Sequence, residues 1–202
     1  MPHPDHVLRI KVTLLDVKPP IWRRIEVHDQ TSFWGLHVAI QDAMGWLDCH
    51  LHQFTYPRSV DPDRELRIGI PYDDPGTATG WMVPVADVLT LAQRRVIYEY
   101  DFGDGWQHEV RLEQVRPMTK EESASCFPRC LAGRRACPIE DIGGPWGYQE
   151  ALETWKAAGG QVEDDEDRAS MIPPDFDPER FDPKAVRFSD SSIRLAEMAM
   201  RL

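Results

Sequence analysis

The stretch Val96–Glu113, VIYEYDFGDGWQHEVRLE, constrains the fold of this chain more than any other segment. Val96, Tyr98, Tyr100 and Phe102 alternate with Ile97, Glu99 and Asp101. Beyond Gly103-Asp104-Gly105, Trp106, His108, Val110 and Leu112 alternate with Gln107, Glu109, Arg111 and Glu113. Period two on both sides of a turn specifies a β-hairpin with one apolar face. A three-residue Gly-Asp-Gly loop pairs Phe102 with Trp106, Tyr100 with His108 and Tyr98 with Val110. His108 then lies among aromatics, with Asp101 and Asp104 at the tip.

The remaining segments supply elements that a hairpin of this kind can pack against. Residues 7–16 and 21–27 read as a first hairpin, interrupted by Lys18-Pro19-Pro20 because proline cannot donate to a ladder. Thr31 or Ser32 can cap a helix over 32–44, whose Phe33, Leu36, Ile40 and Met44 follow helical spacing up to the stop at Gly45. Short strands follow at 51–56 and 64–70, then a loop at 71–80 and a helical turn at 83–91. Gly143-Gly144-Pro145 opens a second long helix with a Tyr148, Ala151, Leu152 and Trp155 face. In FDPERFDPK each Asp-Pro pair has the form of a helix cap followed by proline, and a last helix near 190–201 is expected to dock through Ile193, Ala196 and Met200.

These elements predict an α+β fold: a mixed, mainly antiparallel sheet with a packed helix, a β-grasp-like opening and a C-terminal helical extension. One domain over 1–202 is expected, with a sheet core at 1–116, a Cys-rich loop at 117–144 and the helical extension at 145–202.

Charge narrows the partners. The chain carries a formal net charge of −11. Residues 149–202 hold 13 acidic and 7 basic side chains, leaving −5 for the rest, and the run Glu163–Asp167 reads as a solvated loop. Such a balance opposes specific nucleic-acid binding, which rests on clustered Lys and Arg. No basic-then-apolar signal and no apolar run of spanning length is visible, so a cytoplasmic protein without membrane contact is expected. Cys49, Cys126, Cys130 and Cys137 then read as buried apolar groups, thiols or metal ligands rather than disulfides.

Five motifs, LLDVKPPIWRRIEV, AMGW followed by HLHQF, YEYDFGDGWQHEVRLE, CLAGRRACPIEDIGGPWGY and FDPERFDP, together resemble the plasmid pRiA4b ORF-3-like family, over nearly the whole chain. The resemblance implies a fold and a mobile-element setting, not a mechanism, since the family has no established activity. Some members carry a resolvase label. A serine recombinase needs its serine among arginines that neutralise phosphate, and a tyrosine recombinase needs an Arg, His, Arg and Tyr set. Neither can be assembled around Arg23-Arg24, Arg94-Arg95 or Arg134-Arg135.

The candidate functional cluster is His52, Asp101, Asp104, Trp106, His108, Cys130, Cys137, Glu140 and Asp141. Cys126-x3-Cys130-x6-Cys137 lacks the CxxC knuckle of structural zinc sites, and His50 and His52, or His108, would have to complete a tetrahedron. The resemblance singles out Cys130, Cys137, His52 and His108 at motif positions. No cofactor is expected, with zinc or another divalent cation as the alternative. Asp101, Asp104, His108, Glu140 and Asp141 have the composition for acid–base work or cation binding. The same residues also serve plain structural ends: Asp104 making the turn, Asp101 accepting backbone hydrogen bonds there, His108 satisfied under Trp106, Glu140 and Asp141 favoured at a helix start. Trp46, Trp81, Trp106 and Trp146 beside loop glycines or prolines would anchor a protein or peptide partner if exposed. The reading taken is a non-enzymatic interaction module; the alternative is a hydrolase or other enzyme using the Asp, His, Cys and Glu cluster.

Overall fold

The computed structural model describes residues 5–56, 66–71, 76–162 and 167–200. β1 (His6–Leu14) and β2 (Trp22–His28) form the first hairpin, and α1 (Phe33–Met44) follows. The Ser32 hydroxyl accepts from Gly35 N, and Gly45 closes α1 at φ 93, a left-handed conformation that glycine adopts without strain. β3 (His52–Thr55), β4 (Arg67–Gly69) and β5 (Ala78–Thr79) come next, then the single turn α2 (Val85–Val88). β6 (Arg95–Tyr100) and β7 (Trp106–Pro117) form the long hairpin; β8 (Arg129–Arg134), α3 (Gly144–Ala157) and α4 (Ser191–Ala199) complete the order.

The eight strands form one sheet in the order β5-β4-β3-β6-β7-β1-β2-β8. Only the β4–β5 pair is parallel among the described strands, so the sheet is mixed and mainly antiparallel, as expected. The opening order of hairpin, helix and strand is present, but β3 enters beside β6 and the neighbours of β1 are β2 and β7. Alternation decides the two faces. Leu8, Ile10, Val12 and Leu14 of β1 join Val96, Tyr98, Tyr100, Trp106, Val110 and Leu112 in a core that α1 and α3 cover. The other face is ionic: Arg24 clasps Glu113 at 2.6 and 2.9 Å, and Arg9, Arg116 and Arg129 converge on the buried Glu26. Burial alone would raise the Glu26 pKa, yet hydrogen bonds from Arg116, Arg129 and Arg9 outweigh it and hold the carboxyl below its usual range. This cluster pins β8 to the sheet, so part of the expected Cys-rich loop is an edge strand.

Three expectations are corrected. The hairpin register is Tyr100 opposite Trp106, Tyr98 opposite His108 and Val96 opposite Val110. The turn spans 101–105, because Asp101 takes a left-handed φ of 56 and gathers the chain: its Oδ1 accepts from Gly103 N and Asp104 N, and its carbonyl accepts from Gly105 N. Phe102 is consequently half exposed instead of facing Trp106. The Asp-Pro pairs start no helices; Asp177 and Asp182 each accept from the backbone N–H two residues on, forming turns. Finally, Ile193 and Met200 are 60% and 86% exposed, and Ala196 is exposed too. α4 is held by polar contacts: Trp34 Nε1 donates to Ser191 O at 2.7 Å, Arg194 binds Asp42 at 2.6 Å, and Asp42 also accepts from Ser189.

The hairpin tip meets the start of α3 closely, through one side-chain bond and one main-chain contact. Asp104 Oδ2 accepts from Gly143 N, and a Cβ on Gly144, itself at φ 71, would stand 2.2 Å from the Asp104 carbonyl oxygen. No other residue fits there unless the backbone moves.

Candidate functional site

Polar contacts fix the loop that leaves α1, residues 45–51. Trp46 Nε1 donates to Pro138 O, Leu47 N to Glu140 Oε2 at 2.7 Å, Cys49 N to the Tyr100 hydroxyl at 3.0 Å, and Asp101 N to Leu51 O. Tyr100 in turn donates to Glu140 Oε1 at 2.6 Å. Burial and the Glu140 carboxylate push the Tyr100 pKa far up, so it stays a donor. Glu140 is thus the clasp between the 45–51 loop, β6 and the segment before α3, not a helix-start charge.

This clasp gathers a donor set around His50. Its Nε2 lies 3.0 Å from Asp141 Oδ1 and 3.7 Å from Asp101 Oδ2. The nearer oxygen is off the ring N–H axis, so Nε2, although shielded from solvent, makes no hydrogen bond. Asp101 divides its carboxylate between two tasks, Oδ1 closing the turn and Oδ2 facing His50. Donor atoms of His50, Asp101 and Asp141 lie within 4.8 Å of one another, as do those of Cys49, His50 and Glu140. Asp48, Asp101 and Asp141 all adopt left-handed φ angles near 60°, a conformation that aspartate tolerates but does not favour. The Cys49 thiol is pushed up by partial burial first and by the Glu140 carboxylate second, so it remains protonated at neutral pH unless a cation compensates.

Cys49 and His50 also line a cavity of about 480 Å³, the size of a small-molecule pocket. Trp34, Leu47, Leu51, Ile70 and Met198 give it apolar walls; Asp48, Arg194 and Glu197 supply charge.

The other sequence candidates are elsewhere. Asp101, Glu140 and Asp141 come together at His50, but Asp104 turns to Gly143. His108 is fully buried, and its partners are its own hairpin: Nδ1 sits 3.1 Å from Trp106 O and 3.3 Å from Tyr98 O, so that nitrogen carries the proton. Burial pushes its pKa down to about 4. It is linked to the 130–141 segment through Trp46, which packs edge-on against it and donates to Pro138 O. His52 stacks on His37 with ring centroids 3.5 Å apart, and burial holds it neutral. Burial likewise pushes Cys137 up to about 12 and raises Cys130. None of His52, His108, Cys130 and Cys137 enters a cluster of three potential ligands among the described residues. Trp46 and Trp106 are core; Trp146, in the first turn of α3, is 82% exposed. A further cluster of Asp5, His28 and Asp29 exists, where Gln30 N donates to His28 Nδ1 and thereby leaves the proton on Nε2, the nitrogen nearer Asp5.

Cys49, Tyr100 and Asp48 were not among the candidates read from sequence. Tyr100 carried no signal beyond its place in an apolar alternation, and Cys49 none beyond adjacency to His50.

No described helix is long and apolar enough to cross a membrane. A crystal structure of a protein of unknown function, MM3350 from Methanosarcina mazei Go1, superposes with a TM-score of 0.79 at 39% identity, covering 92% of this chain and all of that one. The uncharacterised protein y4hQ of Sinorhizobium fredii (strain NBRC 101917 / NGR234) is 35% identical over 150 residues, 73% of this chain and 72% of the relative. The family model described as plasmid pRiA4b ORF-3-like protein matches residues 6–185, and the chain belongs to that family.

Proposed function

We propose that this protein is a divalent-metal-dependent hydrolase acting on a small substrate, with His50, Asp101 and Asp141 holding the ion and the adjoining cavity receiving the substrate. One observation carries the reading: the shielded Nε2 of His50, unaligned with any partner among the described residues, stands between two carboxylate oxygens, and His50 itself lines a small-molecule cavity. Such a nitrogen is costly in a finished hydrogen-bond network and is relieved by a cation. One nitrogen and two oxygens suit zinc, manganese or iron, and three protein donors leave coordination positions open to water and substrate. A bound ion lowers the pKa of its water towards ~7 and polarises a carbonyl or phosphoryl oxygen. Cys49 and Glu140 flank the ion, and loss of the Cys49 proton would strengthen binding as pH rises.

The interaction-module reading is weakened on its own terms, because two of its four tryptophan anchors are packed into the core. The test is elemental analysis of protein purified without a histidine tag, followed by assays on nitrophenyl esters and bis(nitrophenyl) phosphate with and without chelator. Near one equivalent of metal, lost in Asp141→Asn, together with chelator-sensitive turnover, is the expected outcome. Metal-free protein that takes up no added zinc or manganese would remove the proposal.

A further inference from the structure

The cavity wall contains an element that the family match does not include. α4 begins at Ser191, beyond the matched residues 6–185, and yet supplies Arg194, Glu197 and Met198 to the wall. The charges it brings are not equivalent. Arg194, the cation of the lining, is consumed: Nη2 lies 2.6 Å from Asp42 Oδ1 and Nη1 3.3 Å from Asp48 Oδ2. Asp48 is consumed as well, between Arg194 and His37. Glu197 has no hydrogen-bond or ion-pair partner among the described residues, so its carboxylate is the lining charge left for a ligand. Around the same space stand Leu47, Leu51, Ile70 and Met198, which suit an alkyl stem. A divalent ion at His50 would offset two of the three nearby carboxylates Asp101, Glu140 and Asp141, leaving the cavity negative. An anionic substrate would meet that field with no free cation among the described lining residues to receive it.

We infer that the cavity selects a small substrate bearing an ammonium or guanidinium group on an aliphatic stem, with Glu197 of α4 reading the positive charge. This rests on the reading above that the cavity is the substrate site. It makes α4 a selectivity element of this chain, set against a site built by residues within the family match.

The test is a ligand-observed NMR titration of the full chain at low salt with four probes: n-butylamine, agmatine, butyrate and inorganic phosphate. The two amines should bind, and the two anions should not. Glu197→Gln should weaken amine binding about tenfold, the scale of one desolvated charge contact, with the melting temperature unchanged because the residue is exposed. Glu197→Lys should abolish amine binding and admit butyrate. Amines that do not bind, that bind no better than butyrate, or that bind equally to Glu197→Gln would overturn the inference. Metal content measured on the same samples separates the two proposals. Stoichiometric metal without amine preference sinks this one alone, whereas Glu197-dependent amine binding without metal sinks the hydrolase and leaves the selectivity standing.

Discussion

His37 and His50 each face an aspartate, at 2.7 and 3.0 Å, and the similarity ends with the distance. His37 is sealed in the core with both nitrogens bonded: Nε2 donates to Asp48, Nδ1 accepts from the Tyr98 hydroxyl at 2.8 Å, and Gln41 donates to the same hydroxyl. His37, Asp48 and Tyr98 each have their partners, although Gln41 Oε1 is left without one, and such a buried polar network rigidifies a fold. His50 sits at a cavity wall, misaligned with Asp141 and too far from Asp101 for a hydrogen bond. An aspartate–histidine pair is therefore not a functional signal by itself. A complete pair joins α1, β6 and the 45–51 loop, and an incomplete one leaves valence for something from outside.

The contrast breaks if the two histidines respond alike to removal. His37→Ala should cost about 3–5 kcal/mol in urea unfolding, from the cavity and from stranding Tyr98 and Asp48. His50→Ala should change metal-free stability by less than ~1 kcal/mol while losing metal uptake. Equal losses would make His50 structural.

The next effect concerns pH. His108 has its folded pKa near 4, below the ordinary value of 6.5, so the unfolded chain binds a proton first. Its contribution is whole above pH 6.5 and fades as pH falls from 6.5 towards 4, the loss by then amounting to roughly 3 kcal/mol. The extra slope of stability in that window should vanish in His108→Asn; an unchanged slope would mean that another group titrates. Glu26, whose folded pKa is lowered, adds loss only as pH falls below the ordinary carboxylate range.

Saturating zinc or manganese sharpens the comparison from the other side. At a hundredfold excess over the dissociation constant, an ion that binds only the native state adds about 2.7 kcal/mol, readable as a rise in melting temperature. The rise should survive in Asp104→Asn and disappear in Asp101→Asn. The latter keeps an oxygen for the turn N–H groups and should cost metal-free protein no more than ~1 kcal/mol. Loss of fold in Asp101→Asn would return that residue to a turn-making role alone. The smallest expected effect is on duplex DNA, where titration should show no sequence preference: the outer-face arginines Arg9, Arg24, Arg95, Arg116 and Arg129 are already matched to Glu26, Glu109, Glu113 and Glu122.

What the sequence disclosed follows from the range of the forces involved. Alternation and caps are local, and they located α1 with Ser32 and Gly45, both hairpins and the apolar face of α3. Register was lost at one residue, since a left-handed Asp101 is invisible where the neighbouring glycines invite the turn. Asp101, Glu140 and Asp141 were identified as a group, yet their imidazole was sought at His108, whose Nδ1 is taken by carbonyls of its own hairpin and whose Nε2 faces no carboxylate among the described residues. His50 and His52 are two residues apart and would share a face in a continuous strand. β3 starts only at His52, so His50 lies outside the strand and goes to a cavity while His52 goes to the core. That divergence is tertiary: it depends on Glu140 holding Leu47 and Tyr100 from a distant segment.

Asp101 and Asp141 are indexed to one another through Gly144, where main chain meets main chain at the hairpin tip. Rotamers cannot absorb a change there. Tuning the gap between the two carboxylates by evolution or by design therefore acts on backbone clearance before it acts on the acids, and a single methyl at position 144 is a coarser adjustment of the site than swapping aspartate for glutamate. The residue that sets the width of the site carries no functional group at all.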